Sequence, residues 1–589
     1  MPSVASRMLL DTPLGDGVRL LTGTRWLRYE EEQDGFDFEQ ARRSEVTEKA
    51  MAPVVESPGS LPAQGPAAGA SVSGATTLCE QQVVTWYGKH DPAYPHNWSF
   101  VKKAWVSFVI GFYTFAIYVG GGIVTTGYKS MMAQFGAQQQ VVYLSMSLFI
   151  FAYGFGALLW CPLSEMPRFG RNPWYWGPGV IAVGLQLGAA LTPSFAGLAV
   201  LRFMVGFLGS SILATGGASL GDIWGTHYLP LALAPCWVLP AFNAPALAPT
   251  ITVFAVERWD WRWTMWVNFF LIAPSVILLL LIPETSAETI LHRRAARLRY
   301  ITGNNKLRTR NELENEGRTA KTLLYEALSV PFKVTLLDPS ILFAALYIGL
   351  CYGVFFSFFE SFPIVFGETY PFTPVQETYA FLCVSAGTLV GLTTYLSYQI
   401  FYMYPWIAKN GTPPQERRLD PAVLSSMTAA MALFIFAWTA YPHLHWFGPV
   451  FGGGLFVASN NITFQCVFYY IILSYPKYAA SILAANDFIR STVGSVLVSP
   501  FLDQPAHFFS FSLQIAALLV HASSPLFRSR VGVHGGVSLL GGLASCGIVG
   551  IVTLRIFGAK LRARSQFAVG PGGREDEIER KAGKRQEEA

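Results

Sequence analysis

The stretch Ala104–Val124 reads AWVSFVIGFYTFAIYVGGGIV and carries no charged side chain. A helix needs about 20 predominantly apolar residues to cross the hydrocarbon core of a bilayer, and this stretch is long enough. Comparable blocks recur near 141–161, 173–191, 197–219, 231–255 and 262–282. A polar stretch over 284–338 follows, then six more blocks near 340–364, 379–402, 422–441, 447–472, 480–501 and 536–557. The pattern predicts an all-α membrane protein of about twelve spans, arranged as six-helix bundles over 101–283 and 339–557.

Composition points to lipid as the main solvent. Charged residues make up 13% of the 589 and the hydrophobic set 52%, whereas soluble domains carry roughly 25% charged residues. The net charge of +5 does not indicate nucleic acid, because Lys and Arg gather in short runs between apolar blocks and form no basic face. The seven cysteines are scattered without a CxxC pair, so neither a metal site nor a disulfide framework is expected. His443 and His445, beside the ninth block, are read as an interfacial pair. HExxH and P-loop patterns are missing, so the chain is not read as an enzyme and no cofactor is expected.

Residues 1–100 mix Pro, Gly, Ser and Ala with charged patches such as Glu30, Glu31, Glu32, Arg42 and Arg43, and read as a disordered tail without a secretory signal. Lys and Arg are retained on the cytoplasmic side of a membrane. Lys102 and Lys103 precede the first block, Arg168 and Arg171 follow the second, and Arg293, Arg294, Arg297, Arg299, Lys306, Arg308 and Arg310 lie in the middle stretch. Lys409, Arg417 and Arg418 follow the eighth block, and Lys560, Arg562 and Arg564 follow the twelfth. All fall on the side shared by both ends, so both termini and the tail at 558–589 are expected in the cytosol. One stretch, 501–525, has an apolar core near 508–521 that is too short to span. It reads as an insertion, for example a retained intron, rather than a thirteenth helix.

Several motifs resemble those of the major facilitator superfamily. The loop Pro162-Leu163-Ser164-Glu165-Met166-Pro167-Arg168-Phe169-Gly170-Arg171 resembles the family's loop motif G-x-L-x-D-R-x-G-R, in the P-x-S-E form familiar in fungal twelve-span drug:H+ antiporters. Arg202-Phe203-Met204-Val205-Gly206 looks like the R-x-x-x-G motif. Asn243-Ala244-Pro245-Ala246-Leu247-Ala248-Pro249 is similar to the antiporter motif in its proline spacing, with alanines in place of glycines. Further similarity lies in Gly221-Asp222-Ile223-Trp224, Trp261-Arg262-Trp263, Pro283-Glu284-Thr285, Phe359-Glu360-Ser361 and Ala485-Asn486-Asp487-Phe488-Ile489-Arg490-Ser491. The resemblance covers about residues 90 to 570 and is nearest to benomyl-, caffeine- and polyamine-type resistance exporters. It implies a major facilitator fold around a central cavity. The activity it implies is proton-coupled export of drugs, toxins or other small amphipathic compounds by a monomer in the plasma membrane.

An antiporter needs a group that exchanges a proton, and burial favours the neutral form of a carboxyl. Glu360, Asp487, Arg490 and Arg202 are the proton-coupling candidates. Asp487 and Arg490 are three apart and share a helix face. The resemblance implies a cytosolic gate of Glu165, Arg168, Gly170, Arg171 and Asp222, with Asp222 paired to Arg171 or Arg168 and Glu165 near the start of the eleventh block. Pro245 and Pro249 are expected to bend the fifth. Substrate-cavity candidates are Tyr113, Phe115, Tyr118, Asn243, Asn268, Tyr352, Phe356, Gln465 and Tyr469, since aromatic groups give broad apolar contact with an occasional polar handle. The alternatives are a polyamine or nutrient transporter of the same fold, a channel, a non-transporting receptor and a membrane-embedded enzyme.

Overall fold

The structure, a computed structural model, describes residues 10–22, 27–32, 83–316, 320–411, 413–475, 479–498 and 525–565. Among the described residues, twelve long helices build the two halves. They are α1 Phe100–Gly122, α2 Gln139–Glu165, α3 Asn172–Leu191, α4 Phe195–Gly225, α5 His227–Arg258 and α6 Arg262–Leu279 in one half. The other half holds α7 Pro339–Thr369, α8 Pro374–Asn410, α9 Asp420–Thr439, α10 Phe447–Ser474, α11 Ala479–Val498 and α12 Pro525–Arg564. Among the described residues, ten of these helices are long and apolar enough to cross a membrane. The exceptions are α3, with Asn172 and Gln186 buried, and α11, with Asn486, Asp487 and Arg490 buried. These polar groups lower the apolar content of two helices that turn them inward, while α3 leaves Val180, Ile181 and Leu191 exposed on its outer face.

Local chemistry sets the helix ends. Ser99 caps α1, Ser194 caps α4, and Asp338 caps α7 by accepting from Ser340 N at 2.9 Å. Thr373 and Gln376 cap the start of α8 reciprocally. The blocks 197–219 and 231–255 suggest a loop of several residues between α4 and α5. Instead helical backbone continues on both sides of a single break at Gly225, with φ +67°. The left-handed region favours glycine because it has no Cβ. Polar residues such as Asp222 and His227 interrupt the apolar count there without interrupting the helix.

The halves meet along α2 and α11 and along α5 and α8. At Gly154 of α2 a Cβ would lie 2.4 Å from the Ser491 Cβ, so the small residue sets the α2–α11 spacing. Thr250 of α5 donates to the Thr378 carbonyl of α8 at 3.0 Å on one face of the bundle. On the other, Tyr404 of α8 donates to the His227 carbonyl at 2.8 Å. That second face carries residues 83–99 and the end of α12, and is called the terminal face below.

Parts of the expected N-terminal tail are folded onto the helix Ala287–Thr302 that follows α6. Arg294 of that helix is buried, with Nε 2.8 Å from Glu31 and a guanidinium nitrogen 2.7 Å from Asp91. Its guanidinium lies 4.2 Å from the Tyr87 ring centre, and that of Arg297 lies 3.6 Å from Tyr29. Burial alone would raise the Asp91 carboxyl. The hydrogen bond and charge of Arg294, with backbone donors from Tyr87 and Ala93, instead hold it below the ordinary carboxylate value. A count of apolar residues does not register a docking held by ion pairs and aromatic rings. Of the stretch 501–525, all but Pro525 lies outside the described residues.

Candidate transport site

At the centre of the seam, α11 presents Asp487 and Arg490 as an ion pair whose side chains are each only 3% exposed. Arg490 reaches across to α1, donating to the Tyr118 hydroxyl at 2.7 Å. Its guanidinium lies 4.8 Å from the Tyr352 ring of α7 and 5.2 Å from the Phe464 ring of α10. Tyr352 in turn shares a hydrogen bond with Tyr153 of α2. The Tyr153 ring packs edge-on against Tyr118 at 5.5 Å, and Phe356 packs on Tyr352 at 4.9 Å. Five helices from both halves thus converge on one guanidinium. An ion pair this far from water persists when further hydrogen bonds and ring faces compensate the lost hydration.

Of the sequence candidates, Tyr118, Tyr352, Phe356, Asp487 and Arg490 come together here. Tyr153 and Phe464 were missed, since nothing distinguishes them from the other aromatic residues of their blocks. Tyr113 turns into the N-terminal half, beside Gly179 of α3. Asn268 of α6 is fully buried near Gly120, and neither of its amide atoms has a hydrogen-bond partner among the described residues. Asn243 donates to the Leu239 carbonyl within α5, and Gln465 donates to Asn461 within α10. Phe115 is only partly buried, on the flank of α1. Tyr469 lies 4.7 Å from the guanidinium of Arg418, towards the terminal face. The Glu360 side chain lies outside the described residues.

Arg202 of α4 is fully buried. It donates to the Ser145 carbonyl of α2 at 2.8 Å and the Gly120 carbonyl of α1 at 2.7 Å, and stacks 4.5 Å from the Phe149 ring. Its contacts tie three helices of one half. In α5, Pro249 has no N–H to bond the Pro245 carbonyl, and that freed oxygen faces α1 at Gly122, where a Cβ would lie 2.6 Å from it. The two prolines therefore seat α5 against α1.

On the terminal face, Arg171 pairs with Asp222 at 2.7 Å and donates to the Ser219 hydroxyl at 3.1 Å. The carboxylate of Glu284, wholly buried, accepts from the backbone N–H groups of Arg171 and Asn172 at 3.2 Å and of Thr285 and Ser286 at 3.0 Å. It occupies the N-terminus of α3, where unpaired donors attract an anion. Gly170 has φ +79°, and a Cβ there would sit 2.4 Å from Glu284 Oε2. Glu284 was not singled out as a site residue, although an acid closing the sixth block opposite a Gly-Arg loop is a readable signal. Glu165 and Arg168 are exposed at the end of α2 and in the following loop. The residues just before α11, 476–478, lie outside the described set.

Two six-helix halves that close around a buried charge pair at their seam define a multi-pass membrane transporter. The profile of the Major Facilitator Superfamily matches residues 110–499, and the chain belongs to that family. It is 35% identical to the MFS-type transporter pyvG of Aspergillus violaceofuscus over 96% of this chain and 99% of that one. It is also 35% identical to the cycloheximide resistance protein of Candida maltosa, covering 83% and 86% of the two chains. Among solved structures, the proton:xylose symporter XylE superposes with a TM-score of 0.54 at 12% identity, covering 78% of this chain and 96% of that one. That likeness is one of fold.

Proposed function

We propose that the chain exports drug-like or toxic small amphipathic compounds from the cytosol, driven by proton influx, as a monomer in the plasma membrane with both termini inside. The observation that carries the reading is the Asp487–Arg490 pair bonded across the seam to Tyr118. When Asp487 is ionised, it shares the guanidinium with Tyr118 across α11 and α1. When Asp487 takes a proton, the pair loses its attraction and Arg490 reorganises toward its tyrosine partners. A group whose partners differ between two conformations biases their equilibrium, so protonation and substrate can each select a state. The Arg171–Asp222 pair and the Glu284 carboxylate brace the gate on the terminal face. The basic loops support the orientation, and relatives such as the multidrug transporter FLR1 of Candida glabrata, at 39% identity, support export.

Purified protein in vesicles tests the reading. Imposing a pH gradient is expected to drive accumulation of a fluorescent drug, and collapsing it with a protonophore to stop accumulation. Transport indifferent to the gradient would remove proton coupling from the proposal.

A further inference from the structure

A cavity of about 1040 Å³ lies away from the central cluster, between α1 and α5. One face of α1 from Phe100 to Phe115 and one face of α5 from Tyr228 to Asn243 form its walls, with Trp224 at one end and Leu389 of α8 at its edge. None of its lining residues belongs to α7, α10 or α11. Phe108 and Leu389 are 56% and 50% exposed, so the cavity is a groove that opens on the flank of the bundle. Its floor is the close approach at Gly111, where a Cβ would meet the Cys236 carbonyl at 2.4 Å. The walls are apolar along almost their whole length.

The polar groups are placed at the ends. Lys103 stands at the terminal face, its ammonium donating to the His96 carbonyl at 2.8 Å and lying 5.5 Å from the Trp224 ring. An ammonium has three donors in all. Trp98 and Trp224 flank it, at the level where indole rings mark a membrane interface. Among the described residues, no acidic side chain lines the groove. From Lys103 to Phe115 the helix rises about 18 Å, close to the ~15 Å hydrocarbon depth of a single leaflet.

We propose that this groove binds an anionic phospholipid of the leaflet on the terminal face, its phosphate at Lys103 and an acyl chain lying along α1 and α5. Charge complementarity selects the headgroup, and leaflet depth selects a chain rather than a compact solute. Anionic lipids populate the cytoplasmic leaflet, and this part rests on the orientation proposed above. A transported compound has to touch both halves to be moved by their rocking. The groove belongs almost wholly to one half, so its occupant stays put while the halves move.

Native mass spectrometry tests this on the full chain, reconstituted in vesicles of equal phosphatidylserine and phosphatidylcholine and then released into detergent. The expected result is retained phosphatidylserine on the wild type. Lys103→Gln is expected to reduce its preference over phosphatidylcholine about fivefold. Ala104→Trp, which fills the mouth, is expected to strip the lipid. Should Ala104→Trp not fold, Lys103→Gln decides the question without added bulk. A wild type free of phospholipid, an unchanged preference in Lys103→Gln, or one-for-one displacement of the lipid by an exported drug would overturn the proposal. Lipid retention is read without transport, so its failure is separate from failure of the export reading.

Discussion

Arg490 on α11 donates to the hydroxyl of Tyr118 on α1 at 2.7 Å, and this bond joins the two halves of the transporter at their centre. Asp487 holds the same guanidinium from one turn away. The proton-coupling proposal therefore reduces to what happens when one carboxylate loses its charge.

Asp487→Asn keeps an acceptor for Arg490 but cannot titrate. Export by this variant is expected to ignore an imposed pH gradient, with membrane abundance unchanged, as measured by drug uptake into inverted vesicles. Glu360→Gln is the parallel arm. Gradient drive lost there and intact in Asp487→Asn would move the proton site to α7.

Tyr118→Phe removes a neutral acceptor from a charged donor, an interaction of about 1.5–3 kcal/mol. Faster hydrogen exchange is expected along α1 and α11, with export reduced. Tyr113→Phe, in the same helix but turned toward α3, is expected to leave α11 unchanged.

Gly170→Ala forces a Cβ into a left-handed backbone position, costing about 1–2 kcal/mol, and drives it toward Glu284 Oε2, 2.4 Å away. A lower melting temperature in detergent is expected. Glu284→Gln, which keeps the shape and loses the charge at the α3 N-terminus, is expected to fall between it and the wild type.

The docked N-terminal segment carries a pH signature. Because the folded-state Asp91 carboxyl is held below its ordinary value, its contribution is fully present above the unfolded value of about 3.9 and is lost as pH falls through the lower folded value. Hydrogen exchange of peptides covering 83–99 should stay protected from pH 7 to about 4 and open below it. Arg294→Gln leaves Asp91 buried without its cation and Glu31 with only Arg297, 3.8 Å away, a loss of about 3–5 kcal/mol for a broken buried pair, and is expected to expose the segment at every pH.

The helical plan was readable because lipid demands long apolar blocks, and residues such as those of α1 satisfy that demand in plain sequence. Asp487 and Arg490 were readable too, since charges within a span are costly unless they serve something. Tyr153 was not, because its value comes from a partner on another helix 199 positions away. The same limit applied to Asp91 and Arg294, whose side chains meet only after two polar segments fold together. Asn268 shows the converse, a polar residue in an apolar block that packs inside one half and does not reach the seam.

The hydroxyl contacts at opposite ends of α5 and α8, Thr250 to Thr378 and Tyr404 to His227, are made at once. To open on either side the molecule has to release one of these contacts and can keep the other. Each is a single neutral hydrogen bond, with a net strength of about 0.5–1.5 kcal/mol. As far as these two latches go, neither side is strongly preferred over the other, so little work is needed to tip the balance and the sense of turnover is left to the gradients outside the protein.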